Sequence, residues 1–169
     1  MKIYISLVAL AFTFAVPAAH AQSDVDIHAA AKMVNSNQPL NQGHRTMAKE
    51  NWSYEITVEN RRFQPLTGLE ARYMVFYTTA ELGSKEAPLQ QHQSGNFAID
   101  ALRPQERKGF TTTPVELDKS HIIGRRHYVH GGRIKAEDTL VGVWVRVYQG
   151  ERIVGEYANP TTLTREQWQ

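Results

Sequence analysis

The chain has 169 residues, no cysteine, and 19 lysines and arginines against 17 aspartates and glutamates, which gives a formal net charge of +2 at pH 7. The lack of cysteine excludes disulfides, thiol redox chemistry and thiolate metal sites. The near balance of charge argues against nucleic acid as the main partner, because nucleic-acid-binding surfaces need an excess of basic residues.

The N-terminal residues 1–21 have the features of a signal peptide. Lys2 provides a positive charge, Ile3–Val16 is almost wholly apolar, and Ala19-His20-Ala21 places small residues where signal peptidase cleaves. An uncleaved anchor helix is the alternative, but the apolar run is shorter than the ~20 residues that span a bilayer. We therefore expect export to the periplasm, cell surface or medium, and one mature domain of residues 22–169 without a membrane span.

In the mature part, apolar residues recur with a period of two, which is typical of β-strands. Residues 24–34 predict a first strand, with a short helix as the alternative. Residues 35–43 are polar and predict a loop or a crossing between sheets. The clearest strands are 52–59 and 69–79, in which apolar side chains alternate with polar ones.

The second half of the chain continues this pattern with longer interruptions. Residues 80–95 are polar and predict a long loop. Phe97, Ile99 and Ala101 alternate again and predict a short strand, and 107–117 predict a further strand in which Pro114 marks an edge or a bulge. Residues 141–157 predict a hairpin closed by Gln149-Gly150-Glu151. Residues 164–167 have the spacing of a capping box, so we expect a final helical turn that carries Trp168.

These elements amount to about seven short strands, without a long amphipathic helix or a β-α-β alternation. Such a pattern predicts two packed antiparallel sheets, in an all-β, immunoglobulin-like β-sandwich. A closed barrel is the alternative, but the long and uneven loops favour the sandwich.

Three motifs resemble exported bacterial domains of immunoglobulin-like or fibronectin-III-like type. They are Tyr54-Glu-Ile-Thr-Val-Glu-Asn60, Leu102-Arg-Pro-Gln-Glu106, and the final hairpin with Gly142-Val-Trp-Val-Arg-Val-Tyr148. The chain is also similar to secreted proteins of verrucomicrobial bacteria, some of which are associated with pilus gene clusters. The resemblance implies a fold rather than a chemistry, and it brings no catalytic residue or cofactor to this chain.

The segment from Lys119 to Lys135 is basic and rich in glycine. The candidate binding residues in it are Arg125, Arg126, His127, His130 and Arg133. Arginine forks and glycine backbone N–H groups suit carboxylate, sulfate or phosphate groups, so an acidic glycan or another anion is a candidate ligand. A solvated loop is the alternative. We do not expect a metal site, because the three-residue spacing of the two histidines puts them on opposite faces of a strand.

Two further sets of residues are candidates for binding. Met74 and Phe76 form an apolar face that must be covered by the chain's own loops or by a partner, so they are candidate interface residues together with Trp168. Trp144 and Tyr148 are candidates for a sugar-stacking surface or a subunit contact. A second core layer is the alternative for these aromatic residues.

Neither a nucleophile motif nor a pair of carboxylates set across a cleft is evident in the sequence. We therefore expect a non-catalytic, cofactor-free module that binds a protein partner or itself, with a cell-surface or pilus-linked structure as its setting. The alternative function is a carbohydrate- or anion-binding domain that uses the basic segment 119–135.

Overall fold

The computed structural model describes residues 23–124 and 131–168. These residues form an antiparallel β-sandwich of ten strands and one 3₁₀ helix. The elements are β1 (Val25–Ser36), β2 (Leu40–Gln42), β3 (Arg45–Asn60), β4 (Leu66–Thr79), β5 (Leu89–Leu102), β6 (Arg107–Thr111), β7 (Val115–Ile122), β8 (Lys135–Glu137), β9 (Thr139–Gln149), β10 (Arg152–Asn159) and the helix η1 (Thr161–Arg165).

The strands form two sheets. Sheet A has the order β1-β3-β7-β8, with β2 and β6 also paired to β3, and sheet B has the order β10-β9-β4-β5. Every pairing is antiparallel. The predicted all-β sandwich is therefore confirmed. The described part has ten strands instead of about seven, because it contains three additional short strands (β2, β6 and β8).

The core lies between the two sheets and follows from the alternation of side chains along the strands. Ile56 and Val58 of β3 face Val75 of β4 and Val143 and Val145 of β9 across the interior, and all five are fully buried. The intervening residues Glu55, Thr57 and Glu59 are partly or fully exposed, which is the usual arrangement where one face of an antiparallel sheet is covered. Burial of each such side chain contributes about 1.5–3 kcal/mol to folding.

Asn60, at the end of β3, connects the β3–β4 turn with the β5–β6 turn. Its buried amide Nδ2 donates to the carbonyl oxygen of Leu102 at 3.0 Å, and its Oδ1 accepts from the backbone N of Arg62 at 2.8 Å. In the second turn the Glu106 carboxylate accepts from the backbone N of Arg103 at 2.7 Å. Both sets of hydrogen bonds lie in turns, where they satisfy backbone groups that no strand pairs.

Three sequence predictions about elements need correction. Residues 24–34 form a strand, so the helical alternative is wrong. Residues 35–43 stay in sheet A, because β2 forms a hairpin with β3 instead of crossing between sheets. The predicted strand 107–117 is two strands, β6 and β7, separated by Thr112–Pro114.

Two further corrections affect the surface. The predicted long loop 80–95 is wrong from Leu89 onward, because β5 begins there and pairs with β4 along its whole length. The capping-box prediction at 164–167 is also wrong, because the helical turn spans Thr161–Arg165 and its N-cap is Pro160. Trp168 follows this turn instead of being carried by it.

The sandwich has two ends of different character. The N-terminal end holds Ser23 and the turns β3–β4, β5–β6 and β9–β10. The opposite end, called the distal end below, holds the β2–β3 hairpin and the β4–β5 and β7–β8 connections. At the distal end, Asp138 joins the two sheets by accepting from the backbone N of Ala80 at 2.9 Å and of Asp118 at 3.0 Å.

Candidate functional site

The outer face of sheet B is covered by the chain's own C-terminal segment. Met74, Phe76 and Trp144 are at most 2% exposed, and Leu163 of η1 and Trp168 pack against them. The sequence left open whether the chain's own loops or a partner covers this face, and in the structure the chain itself covers it. Met74 and Phe76 are therefore not exposed interface residues, which corrects that prediction, and Trp168 is half-buried.

Arg146 lies between the two tryptophans of this cover. Its Cζ is 4.4 Å from the ring centroid of Trp144 and 4.5 Å from that of Trp168, a distance at which a guanidinium is attracted to an aromatic face. The Glu156 carboxylate accepts from Arg146 Nε at 2.6 Å and from Trp144 Nε1 at 2.9 Å. Trp144 thus belongs to a second core layer, and it is not a sugar-stacking residue as the sequence suggested.

Tyr148, the other predicted stacking residue, is half-buried beside this layer. The guanidinium Cζ of Arg72 lies 4.6 Å from its ring centroid, so one face of the ring is already occupied. Arg72 in turn donates two hydrogen bonds to Glu70, at 2.6 Å and 3.0 Å. The hydrogen bond from Arg72, reinforced by one from Asn96, lowers the pKa of the Glu70 carboxyl.

The described basic residues of segment 119–135 contact partners within the chain. Lys119 Nζ lies 2.6 Å from a carboxylate oxygen of Glu50, and Lys135 Nζ lies 2.9 Å from Glu137. Arg133 donates to the carbonyl oxygen of Glu86 at 3.0 Å. The other candidates of this segment, which are Arg125, Arg126, His127 and His130, lie outside the described residues.

Arg133 also has a structural role through its backbone. Its carbonyl oxygen accepts from the N–H of Gly83 at 2.8 Å, and its N–H donates to Ser84 at 3.1 Å. A Cβ at Gly132 would overlap the backbone of Gly83, so the two segments approach as closely as only glycine permits. The β4–β5 loop and the segment before β8 are therefore fastened together.

The distal end carries most of the exposed apolar side chains, which the sequence patterns missed. Among residues 23–124 and 131–168, nine large hydrophobic side chains are exposed. Phe63 and Ile153 lie at the N-terminal end. Met33 and Val34 lie on β1 beside the middle of β3, where Met33 pairs with Trp52. The distal ones are Leu40, Met47, Leu89, Ile123 and Ile134. These five are dispersed along the chain, so no periodic signal marked them, and only the fold places them at one end.

Several of these side chains are gathered around the β2–β3 hairpin. Leu40 and Met47 are direct cross-strand partners, with 63% and 40% of their surface exposed. The backbone N–H of Ile123 donates to His44, in the hairpin turn, at 2.8 Å. Ile134 is tied to the end of β7, because its carbonyl oxygen accepts from the N–H of Ile122 at 3.0 Å. The exposed apolar side chains of the hairpin, the end of β7 and the start of β8 are thus held at the same end of the sandwich.

The N-terminal end is charged instead. Asp24 is 8% exposed and lies 2.6 Å from Arg62 and 2.7 Å from Arg152, so two guanidinium groups neutralise one carboxylate. A hydrogen bond from Arg61 lowers the pKa of the neighbouring Asp26 carboxyl. The Asp26 carboxylate is therefore held ionised by Arg61, so it does not supply a proton near neutral pH.

Two general features bear on the kind of site. Within the described ranges, no group of three or more histidine, aspartate or glutamate side chains is placed to hold a metal ion. In the same residues, no helix is long and apolar enough to cross a membrane.

No protein-family model and no curated protein matches the chain. A solved structure entitled "X-ray structure of Northeast Structural Genomics Consortium target SoR45" is similar at 12% sequence identity and a TM-score of 0.34, over 80% of this chain and 85% of that one.

Proposed function

We propose that the protein is an exported, non-catalytic binding module that contacts a protein partner through the distal end of its sandwich. The observation that carries the proposal is the concentration of exposed apolar side chains around the β2–β3 hairpin. Monomeric soluble proteins rarely gather such residues in one place, and exposed apolar patches commonly mark interaction surfaces. The expected signal peptide supports an extracytoplasmic setting, in a cell-surface or pilus-linked assembly.

The features described above favour association over catalysis and over anion binding. The described basic side chains Lys119, Arg133 and Lys135 each have a partner in the chain, so an incoming anion would have to displace it. An apolar contact at the distal end displaces no ion pair, and its attraction comes from removing apolar surface from water. Binding at the distal end should therefore depend little on ionic strength.

Site-directed photo-crosslinking in cells that export the full chain tests this proposal. A photoreactive phenylalanine analogue replaces Leu40, and in a matched control it replaces Phe63, which is 89% exposed at the N-terminal end. We expect a crosslinked protein adduct from position 40 and none from position 63. Equal labelling at both positions, or none at either, would overturn the proposal.

Substitution of the same surface provides a second measurement. Leu40→Ser and Met47→Ser should abolish the adduct formed from a photoreactive group at Ile134, and Phe63→Ser should leave it unchanged. Because all three side chains are exposed, the variants should fold normally, which circular dichroism checks.

A further inference from the structure

The edges of the two sheets differ in how they are protected from pairing with other strands. An edge strand presents unpaired N–H and C=O groups, and natural proteins protect such edges with charges, prolines, bulges or covering segments. Sheet A ends at β1 and β2 on one side and at β6 and β8 on the other. Sheet B ends at β10 and β5.

The edge formed by β1 is protected in several ways. Its register with β3 shifts between Met33 and Asn35, so the strand is bulged, and Lys32 places a charge on it. The start of β1 is close to β10, where the backbone N–H of Asp24 donates to Val154 at 2.9 Å. These features oppose the addition of a further strand.

The edges β2, β6, β8 and β10 are also protected. The short strand β6 carries Arg107 and Lys108, and β2 and β8 have only three residues each. In β10 the charged residues are Arg152 and Glu156, and the register with β9 shifts after Ile153.

The first eleven residues of the remaining edge, β5, have no bulge and no lysine, arginine or carboxylate side chain. The segment Leu89–Ile99, LQQHQSGNFAI, contains no lysine, arginine, aspartate, glutamate or proline. Its pairing with β4 runs without a register shift, and β4 is the strand hydrogen-bonded to it within residues 23–124 and 131–168. Along an antiparallel edge strand, every second residue directs its N–H and C=O away from its neighbour.

We propose that β5 pairs antiparallel with β5 of a second copy of this chain, about a two-fold axis at Ser94. This inference rests on the proposed assembly role, but it uses a different surface from the distal end. Ser94 is the midpoint of Leu89–Ile99, so this register uses the whole uncharged segment in both copies. The two edges are identical, as a two-fold interface requires.

The side chains of β5 fit a copy of themselves better than a charged peptide. Its exposed outer row includes Gln90, Ser94 and Asn96, and its inner row includes the half-buried Gln91 and Gln93. Amide and hydroxyl groups donate and accept equally, so they pair with identical groups across the axis. Apart from His92, which meets Asn96 of the second copy in this register, the segment holds no acidic or basic side chain to meet a charged partner, so self-pairing sets no like charges opposite each other.

The absence of native cysteine makes crosslinking a direct test. In the mature protein, Ser94→Cys should give a disulfide-linked dimer under oxidation, because the two positions face each other across the axis at a separation that suits a disulfide. Ala30→Cys is the matched control, since Ala30 is likewise exposed on the outer face of an edge strand, β1. The control should remain a monomer on a non-reducing gel.

Sedimentation of the uncrosslinked protein provides the complementary test. The mature wild type should be a dimer, Ser94→Lys a monomer, and Ala30→Lys a dimer. A wild type that is monomeric at all concentrations would overturn the proposal. So would a dimer that survives Ser94→Lys and is lost with Leu40→Ser, although this outcome would support binding at the distal end. A crosslink from Ser94→Cys to a different protein would also contradict pairing between copies.

Discussion

The indole of Trp168 packs edge to face against the indole of Trp144, with ring centroids 4.7 Å apart. This contact fastens the end of the chain over the outer face of sheet B and closes the layer that contains Met74 and Phe76. The C-terminal segment is therefore part of the fold, since without it an apolar face of sheet B would meet water.

Trp168→Ala should lower the free energy of unfolding by about 2 kcal/mol, because it removes an aromatic pair and a cation–π contact with Arg146. The measurement is urea denaturation of the mature protein. Gln167→Ala, at the exposed neighbouring position, is the control and should change stability by less than ~0.5 kcal/mol. An equal effect of both variants on the free energy of unfolding would mean that the contacts of Trp168 with Trp144 and Arg146 do not stabilise the fold.

Asn60→Ala should be more damaging, although it removes a smaller side chain. Asn60 is fully buried, and its amide donates to Gln64 at 2.9 Å and to Leu102 at 3.0 Å. Because the substitution leaves buried carbonyl groups without donors, we expect a loss of about 3 kcal/mol. Asn35, which is exposed on β1 and accepts from Asn51, is the matched control. Thermal unfolding of Asn60→Ala and Asn35→Ala measures the difference, and similar melting temperatures would contradict the proposed role.

The sequence predicted those strands of the sandwich in which one face is buried and the other is exposed to solvent. In β3, for example, Tyr54, Ile56 and Val58 alternate with polar residues, and the structure buries all three. It predicted only the second half of β5 and missed its first half, because Gln90, Gln91 and Gln93 give no apolar alternation at a sheet edge that is only half covered. Such a strand forms because it pairs with β4, and this pairing depends on tertiary structure that a local sequence pattern does not show.

The candidate surfaces were harder to predict, for the same reason. Leu40 and Ile134 are far apart in the chain and isolated among polar residues, so only the sheet topology brings them to one end. Conversely, Met74 and Trp144 had the pattern of an apolar surface, but the segment that covers them follows the last strand. Sequence alternation shows that a face is apolar without showing what covers it.

Gly95→Ala tests the packing of β5 against the core. A Cβ at Gly95 would overlap the ring and hydroxyl of Tyr73, whose oxygen accepts from the backbone N–H of Thr113 at 3.1 Å. The ring must shift and this hydrogen bond weakens, so we expect a loss of about 1–3 kcal/mol. In the matched Gly109→Ala, the nearest atom to the new Cβ is the oxygen of Ile56 at 3.8 Å, an ordinary contact. Chemical denaturation should separate the two variants, and equal stability would contradict the steric argument.

The pH dependence of stability should reveal the ion pair of Glu50 at the distal end. Hydrogen bonds from Lys119 and Trp52 lower the pKa of the Glu50 carboxyl below its usual value of 4.5. A carboxyl whose pKa is lower in the folded state stabilises the fold above its unfolded pKa, and this contribution disappears as the pH falls through the folded pKa.

Wild type should therefore be more stable than Glu50→Gln at pH 7, and the gap should close progressively below about pH 4.5. Urea midpoints measured from pH 7 to pH 3 provide the test. Glu151→Gln, at the exposed turn between β9 and β10, is the control and should follow the wild-type profile. A gap between wild type and Glu50→Gln that stays constant with pH would show that the amide differs in packing alone, and that the charge on Glu50 does not stabilise the distal end.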